Sequence, residues 1–220
     1  MDVRGIKSFV LRGGRMSDAQ KRSYENLAPS FCISESKITD YKSIFGNSNP
    51  VIIEIGFGSG FATAEIADKN PSTNYLGIEV YRPGIGKLLW EIEKRSLKNI
   101  RIIEGDAAEL LPRLLPGAAA GIHLFFPDPW PKKRHHKRRL VTRPFTETLR
   151  NCLLPGAYIY MVTDWTDYAD WALAELSATP ALVNQYEAFA PVQSWRPKTR
   201  FENKGLNKNH EIRELYFVRE

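Results

Sequence analysis

At 220 residues, 43% apolar and 25% charged, the chain has the length for one large domain with a full hydrophobic core and the composition of an ordinary globular protein, which excludes fibrous and disordered classes. No window approaches the roughly 20 apolar residues a membrane-spanning helix needs, and Cys32 and Cys152 form no CxxC pair and no metal-ligand spacing with the four histidines. The formal net charge of +6 is segregated: residues 1–22, 132–143 and 193–213 together carry +15 and the remainder −9, a distribution that points to a polyanionic partner, foremost a nucleic acid.

Residues 1–45 are basic, polar and poorly periodic, and read as a partly mobile arm ahead of a domain over 46–220. From there short runs rich in Ile, Val, Tyr and Phe alternate with helical spacing. Strands are expected at VIIEI (51–55), NYLGIEV (74–80), IRIIEGD (100–106), AGIHLFFPD (120–128) and AYIYMVTD (157–164), with helices over 60–69, 83–96, 107–115, 143–152 and 165–178. In the last helix Trp165, Tyr168, Ala172 and Leu176 share one face. Strand and helix alternating this often imply a parallel sheet covered on both sides. LVNQYEAF (182–189) and IRELYFVRE (212–220) follow without a helix of comparable length between them, so they are expected to close the sheet with an antiparallel edge, and 191–211 reads as a long basic loop. The fold class is α/β, and the chain is expected to be soluble, cytoplasmic, free of a metal site and without membrane association.

In an open parallel sheet, ligands bind at the carboxyl ends of the strands where the winding reverses. The first strand ends in Glu54-Ile-Gly56-Phe-Gly58-Ser-Gly60, a loop whose glycines let backbone approach a ligand and offer free amides. A dinucleotide fold uses the same device, but its pyrophosphate would lie near Glu54, where like charges repel in low dielectric. S-adenosylmethionine carries a sulfonium and an α-ammonium and no phosphate, so Glu54 favours it over NAD. Glu79, 23 residues after Gly56, is spaced to accept both ribose hydroxyls. Asp106, at the third strand end, is placed to accept from an adenine exocyclic amine. Each of these two acids has a plainer reading at a strand end, as the cap of the helix that follows.

The fourth strand runs into FFPDPWPKKRHHKRRLV, where Asp128 sits between two prolines and Lys132 to Arg139 hold six Lys or Arg and two His. The prolines restrict the backbone that carries the carboxylate. Trp130 has two readings, a platform for a splayed base or core packing under the loop. The basic run is suited to phosphate contacts that position RNA without reading its sequence. His135 and His136 are given no catalytic role.

Glu54-Ile-Gly-Phe-Gly-Ser-Gly, Gly77-Ile-Glu79, Gly105-Asp106-Ala, Phe126-Pro-Asp128-Pro-Trp130-Pro-Lys132 with its basic run, Thr163-Asp164-Trp165 and Thr199-Arg200-Phe201-Glu202 together resemble the bacterial-type tRNA (guanine-N7-)-methyltransferase family from about residue 50 to the carboxyl end. The resemblance implies a Rossmann-like methyltransferase fold with a mostly parallel seven-stranded sheet and a reversed last strand. It implies S-adenosyl-L-methionine contacts at Glu54, Glu79, Asp106 and Asp128, beside the glycines Gly56, Gly58 and Gly60, with Asp128 also the active-site residue. Substrate contacts are implied at Lys132, Asp164, Thr199, Arg200, Phe201 and Glu202, and RNA interaction at Arg134, His135, His136, Lys137, Arg138 and Arg139. Asp164 has the competing role of capping the following helix. Family members commonly carry Lys where this chain has Arg200, which keeps the charge. The implied partner is tRNA, methylated in its variable loop by a monomer or homodimer.

Guanine N7 has an in-plane lone pair and no proton to lose, so no strong general base is required. Catalysis then rests on holding N7 in line with the methyl and sulfur, and Asp128 is assigned to the guanine N1 and N2 edge, orienting the base and balancing the charge that appears on its ring. Two other classes remain open. One is a different enzyme on the same fold, acting on an exocyclic amine of RNA or using NAD. The other is a non-catalytic RNA-binding protein, against which four carboxylates at successive strand ends argue.

Overall fold

Five apolar runs buried on both faces pair side by side at the centre of the molecule. A computed structural model describes residues 6–10, 13–198, 202 and 211–220. Its strands are β1 (Val51–Ile55), β2 (Asn74–Glu79), β3 (Ile100–Glu104), β4 (Ala119–Phe125), β5 (Leu153–Thr163), β6 (Leu182–Asn184) and β7 (Arg213–Arg219). They form one seven-stranded sheet in the order β3-β2-β1-β4-β5-β7-β6. β1 to β5 are parallel, and β7 runs antiparallel between β5 and β6. All five β1 residues are buried, as a central parallel strand requires.

Seven α-helices flank the sheet among the described residues. α1 (Asp18–Phe31), α3 (Phe61–Lys69) and α4 (Arg82–Arg95) cover one face, sharing a core with Ile52, Tyr75, Ile102 and Tyr160. α2 (Tyr41–Phe45), α5 (Ala107–Leu110), α6 (Arg143–Cys152) and α7 (Thr166–Ser177) cover the other, around Ile53, Ile78, Leu124 and Met161. The chain winds outward from β1 to β3 and then returns to lay β4 against β1, so the winding reverses between β1 and β4. The crevice at their carboxyl ends is the position this topology reserves for a ligand. No helix of the described residues is long and apolar enough to cross a membrane.

Residues 18–45, where sequence periodicity indicates no element, contain α1 and α2. α1 opens with a capping box, in which Gln20 N donates to Ser17 Oγ at 3.3 Å and Ser17 N donates to Gln20 Oε1 at 2.9 Å. It lies along α4 at Gly86, where a Cβ would stand 2.7 Å from Met16 Sδ and 3.3 Å from Gln20 O. Beyond it Ile33 N donates to Ile102 O at 2.8 Å, so residues 32 and 33 shield the β3 edge. Three other expectations shift. The helix over 107–115 stops at Leu110 and continues as a 3-10 turn, Leu111–Arg113, around Pro112. The strand over 182–189 shortens to three residues. The strand over 120–128 ends at Phe125, because Phe126 turns the backbone at φ +52°.

Replacing Ser17 by Ala is expected to cost about 1 kcal/mol, seen as a melting temperature lower by roughly 2–4 °C in a circular-dichroism scan.

Candidate active site

A cleft of about 550 Å³ opens at the carboxyl ends of β1, β2, β3 and β4, and Glu54, Glu79, Asp106 and Asp128 all line it. The loop after β1 takes left-handed backbone at Gly56, Gly58 and Gly60, with φ of +72°, +58° and +66°, which a side chain would strain. Gly56 N donates to Ile78 O at 2.8 Å, tying the loop to the end of β2. Glu79 continues that tie: Gly58 N donates to its Oε2 at 2.7 Å, and Val80 N and Tyr81 N donate to its Oε1 at 2.7 and 2.9 Å. The glycine Gly84 in the first turn of α4 completes the packing, since a Cβ there would collide with Gly58 O. Sequence reasoning passes over Gly84. Its signal is a glycine inside a helix, where it costs about 1 kcal/mol relative to alanine unless close packing requires it.

The acids differ in environment. Glu54 is 2% exposed, and its Oε2 has no hydrogen-bond partner among the described residues. Burial pushes its pKa up to about 7, and the neighbouring Glu79 adds to the rise. Glu79 is raised by burial too, opposed by its three amide donors, with Asp128 adding to the rise. Asp106 caps α5 by accepting from Ala108 N at 3.0 Å, so the plainer of its two sequence readings is realised while it still lines the cleft.

Asp128 rides on a turn with two non-glycine residues in left-handed backbone, Phe126 at φ +52° and Trp130 at +46°. Such residues cost on the order of 1–3 kcal/mol each and persist where their surroundings over-determine them. Phe126 N donates to Val162 O at 2.8 Å, Arg139 Nε to Pro129 O at 3.0 Å and Trp130 Nε1 to Ser8 O at 2.8 Å. Trp130 is half-buried, and the Arg138 guanidinium lies 3.8 Å from its ring centroid. Arg138 also donates to Lys7 O and Phe9 O, each at 3.0 Å. Lys7 in turn reaches Glu109 at 2.8 Å and Asp106 at 3.7 Å. Residues 7–10 thus strap the cleft, and Ser8, Phe9 and Val10 line it. No sequence signal pairs this segment with Trp130 and Arg138, 122 to 131 positions away.

The basic run forms a 3-10 helix, Lys133–Arg138, in which Lys133, Arg134 and Lys137 are exposed, as is Lys132 before it. Desolvation and the cations around it hold the His135 pKa down, so it adds no charge near neutrality. Arg139 departs from the RNA-facing role its sequence position suggests: its side chain is fully buried against α7. His136 is half-buried against Trp171. Asp164 is half-buried after β5, directly before Trp165, the N-cap residue of α7. Thr199, Arg200 and Phe201 lie outside the described residues. Glu202 is buried and ion-paired to Arg196 at 2.6 Å, and Arg196 Nη2 also reaches Glu214 on β7 at 2.7 Å. That anchors Glu202 to β7 rather than to the cleft.

Stability should carry the signature of Glu54. Its folded-state pKa of about 7 lies above the ordinary 4.5, so its contribution is full below pH 4.5 and is lost as pH rises through 7. Urea unfolding of the ligand-free protein across this window is expected to show a loss of about 3 kcal/mol from Glu54, which Glu54→Gln removes while the part from Glu79 remains.

Residues 48–215 match the family described as "Putative methyltransferase". A tRNA (guanine-N(7)-)-methyltransferase of Nitrosospira multiformis is 48% identical over 216 residues, covering 97% of this chain and 94% of the relative. One of Burkholderia mallei is 46% identical over 219 residues, covering 99% and 83%. Among solved structures, the antibiotic-resistance methyltransferase Kmr superposes with a TM-score of 0.60 at 17% identity, over 85% of this chain and 93% of that one. TrmN from Thermus thermophilus gives 0.55 at 17%, over 79% and 45%. These two likenesses bear on the fold, a Rossmann-like methyltransferase sheet. With relatives this similar over nearly its whole length, the chain belongs to the tRNA (guanine-N7-)-methyltransferase family.

Proposed function

We propose that the cleft binds S-adenosylmethionine and that the chain transfers its methyl group to N7 of a guanosine in tRNA, in the variable loop. The observation that carries this reading is the rim of four carboxylates, with Glu54 wholly buried and one of its oxygens unpartnered. A buried unpaired acid is costly, and a cationic ligand relieves that cost where a phosphate would increase it. The residues present therefore fit this donor. Glu54 is assigned to its ammonium, Glu79 to its ribose hydroxyls and Asp106 to its adenine amine, with the glycine loop following its backbone. The Glu79 assignment uses spare capacity on Oε2, which accepts one amide where Oε1 accepts two. When bound, the donor supplies an electrophilic methyl group on a sulfonium.

Guanine N7 brings its own lone pair and no proton, so the chain has to place the base rather than deprotonate it. Asp128 accepts from the N1 and N2 edge, fixes the base plane and balances the charge developing on the ring. The strained, multiply anchored turn beneath it keeps that carboxylate still. Outside the cleft, Lys132, Lys133, Arg134 and Lys137 grip phosphates and Asp164 approaches the substrate base. In this arrangement residues 7–10 strap the donor site, while α1 and α2 belong to the domain whose sheet they cover.

The test is incubation with labelled S-adenosylmethionine and an unmodified tRNA transcript. One guanosine is expected to acquire the label and to become cleavable by reduction and aniline, a reactivity of the cationic N7-methyl ring and not of a methylated amine. Asp128→Ala is expected to lower the rate constant by about 100-fold or more while tRNA affinity is retained. Label in an exocyclic amine, or an Asp128→Ala rate near that of the parent, overturns the reading.

A further inference from the structure

Arg139 is chemically out of place in its neighbourhood. It follows five Lys or Arg in seven positions, yet its side chain is fully buried. Its Nε donates to Pro129 O at 3.0 Å, and its Nη2 pairs with the Asp167 carboxylate in the first turn of α7. The guanidinium lies 5.2 Å from the Tyr168 ring centroid and 5.1 Å from that of Trp171. The chain on its other side is pinned as well, because Val141 N donates to Tyr168 Oη at 3.3 Å and Trp171 Nε1 to Val141 O at 2.7 Å. Nη1 has no partner among the described residues.

Stability alone gives no reason for this charge, because burying an ion costs several kcal/mol and a well-packed apolar side chain of similar volume often serves as well or better. What an apolar side chain cannot do is donate a directed hydrogen bond. The bond in question ends on the carbonyl of Pro129, the residue next to Asp128, inside the turn held in left-handed backbone at Phe126 and Trp130.

We propose that Arg139 is a positioning residue for methyl transfer: anchored to α7 through Asp167, it clamps the Pro129 carbonyl and so fixes where the Asp128 carboxylate meets the base. The inference rests on the assignment of Asp128 above. It removes Arg139 from the phosphate-gripping set and makes the first turn of α7 part of the catalytic scaffold. Arginine suits the task because its planar fork presents Nε and Nη2 toward two fixed acceptors at once, which the single ammonium of lysine does not reproduce. Misplacement of a reacting group by about 1 Å costs about 100-fold in rate, so loosening this clamp reads out in the chemical step.

The experiment compares Arg139→Lys, Asp167→Asn and Asp128→Ala in single-turnover methyl transfer at saturating tRNA and S-adenosylmethionine. Rates are normalised to the protein competent to bind the donor, so that partial unfolding does not enter. Affinity for tRNA is measured in parallel across a salt series. For Arg139→Lys the rate constant is expected to fall by about 10- to 100-fold, with tRNA affinity, its salt slope and donor affinity within about twofold of the parent. Asp167→Asn, at an exposed carboxylate, keeps the guanidinium and serves if the lysine variant does not fold; its rate is expected to fall several-fold with the same affinities. An unchanged rate constant in whichever of the two folds overturns the proposal. So does weakened tRNA binding with a flattened salt slope and an intact rate, the behaviour of a phosphate ligand. Full activity in Asp128→Ala would instead sink the assignment on which the clamp rests, which separates the two failures.

Discussion

A carboxylate kept out of water at the end of the central strand is the constraint around which the site is built. Glu54 is the penultimate residue of β1, a strand with no exposed face, so its side chain has nowhere to go but the interior or the cleft. The loop that follows must pass close by without adding bulk, and three left-handed glycines supply that path. Glu79 then holds the loop through the Gly58 amide, which places a second acid beside the first and raises the proton affinity of Glu54. Local geometry and electrostatics are thus one problem here. The contacts that shape the loop also concentrate negative charge, and a cationic ligand resolves the repulsion.

Next to that rim, a single run of like residues divides its labour by burial. Lys132, Lys133, Arg134 and Lys137 face solvent, Arg138 turns to Trp130 and the strap, and Arg139 turns inward to Pro129 and Asp167. Net charge treats the six cations alike. Their hydrogen-bond acceptors do not, because a backbone carbonyl in a strained turn takes up a directed donor and a phosphate takes up any mobile cation. The same turn links the strap to the acid it covers, since Trp130 and Arg138 both hold carbonyls of residues 7–9.

Much of this was legible because it is written in local pattern. The strand runs, their alternation with helices and the reversed β7 follow from periodicity, and the carboxylates at strand ends follow from the rule that open parallel sheets bind ligands there. α1 escaped because Ser23 is its buried residue while its apolar side chains Tyr24, Leu27, Ala28 and Phe31 are only partly buried, and it is fixed by the Ser17 capping box and by lying on Gly86 of α4. The end of β4 was overrun because Phe125 and Phe126 look alike as strand residues, while the backbone reverses at the second. Glu202 belongs to a motif read as substrate-binding, yet Arg196 holds it to β7.

By itself the sequence determined the fold class, the order of its elements and the presence of acids at successive strand ends, since these depend on the spacing of residues along the chain. Only the tertiary structure decided which cations remain free, which are consumed as internal donors, and which distant segment closes the cleft. Those outcomes depend on acceptors brought together from positions up to 131 residues apart, and no local pattern encodes the distance between a guanidinium and a carbonyl on another loop.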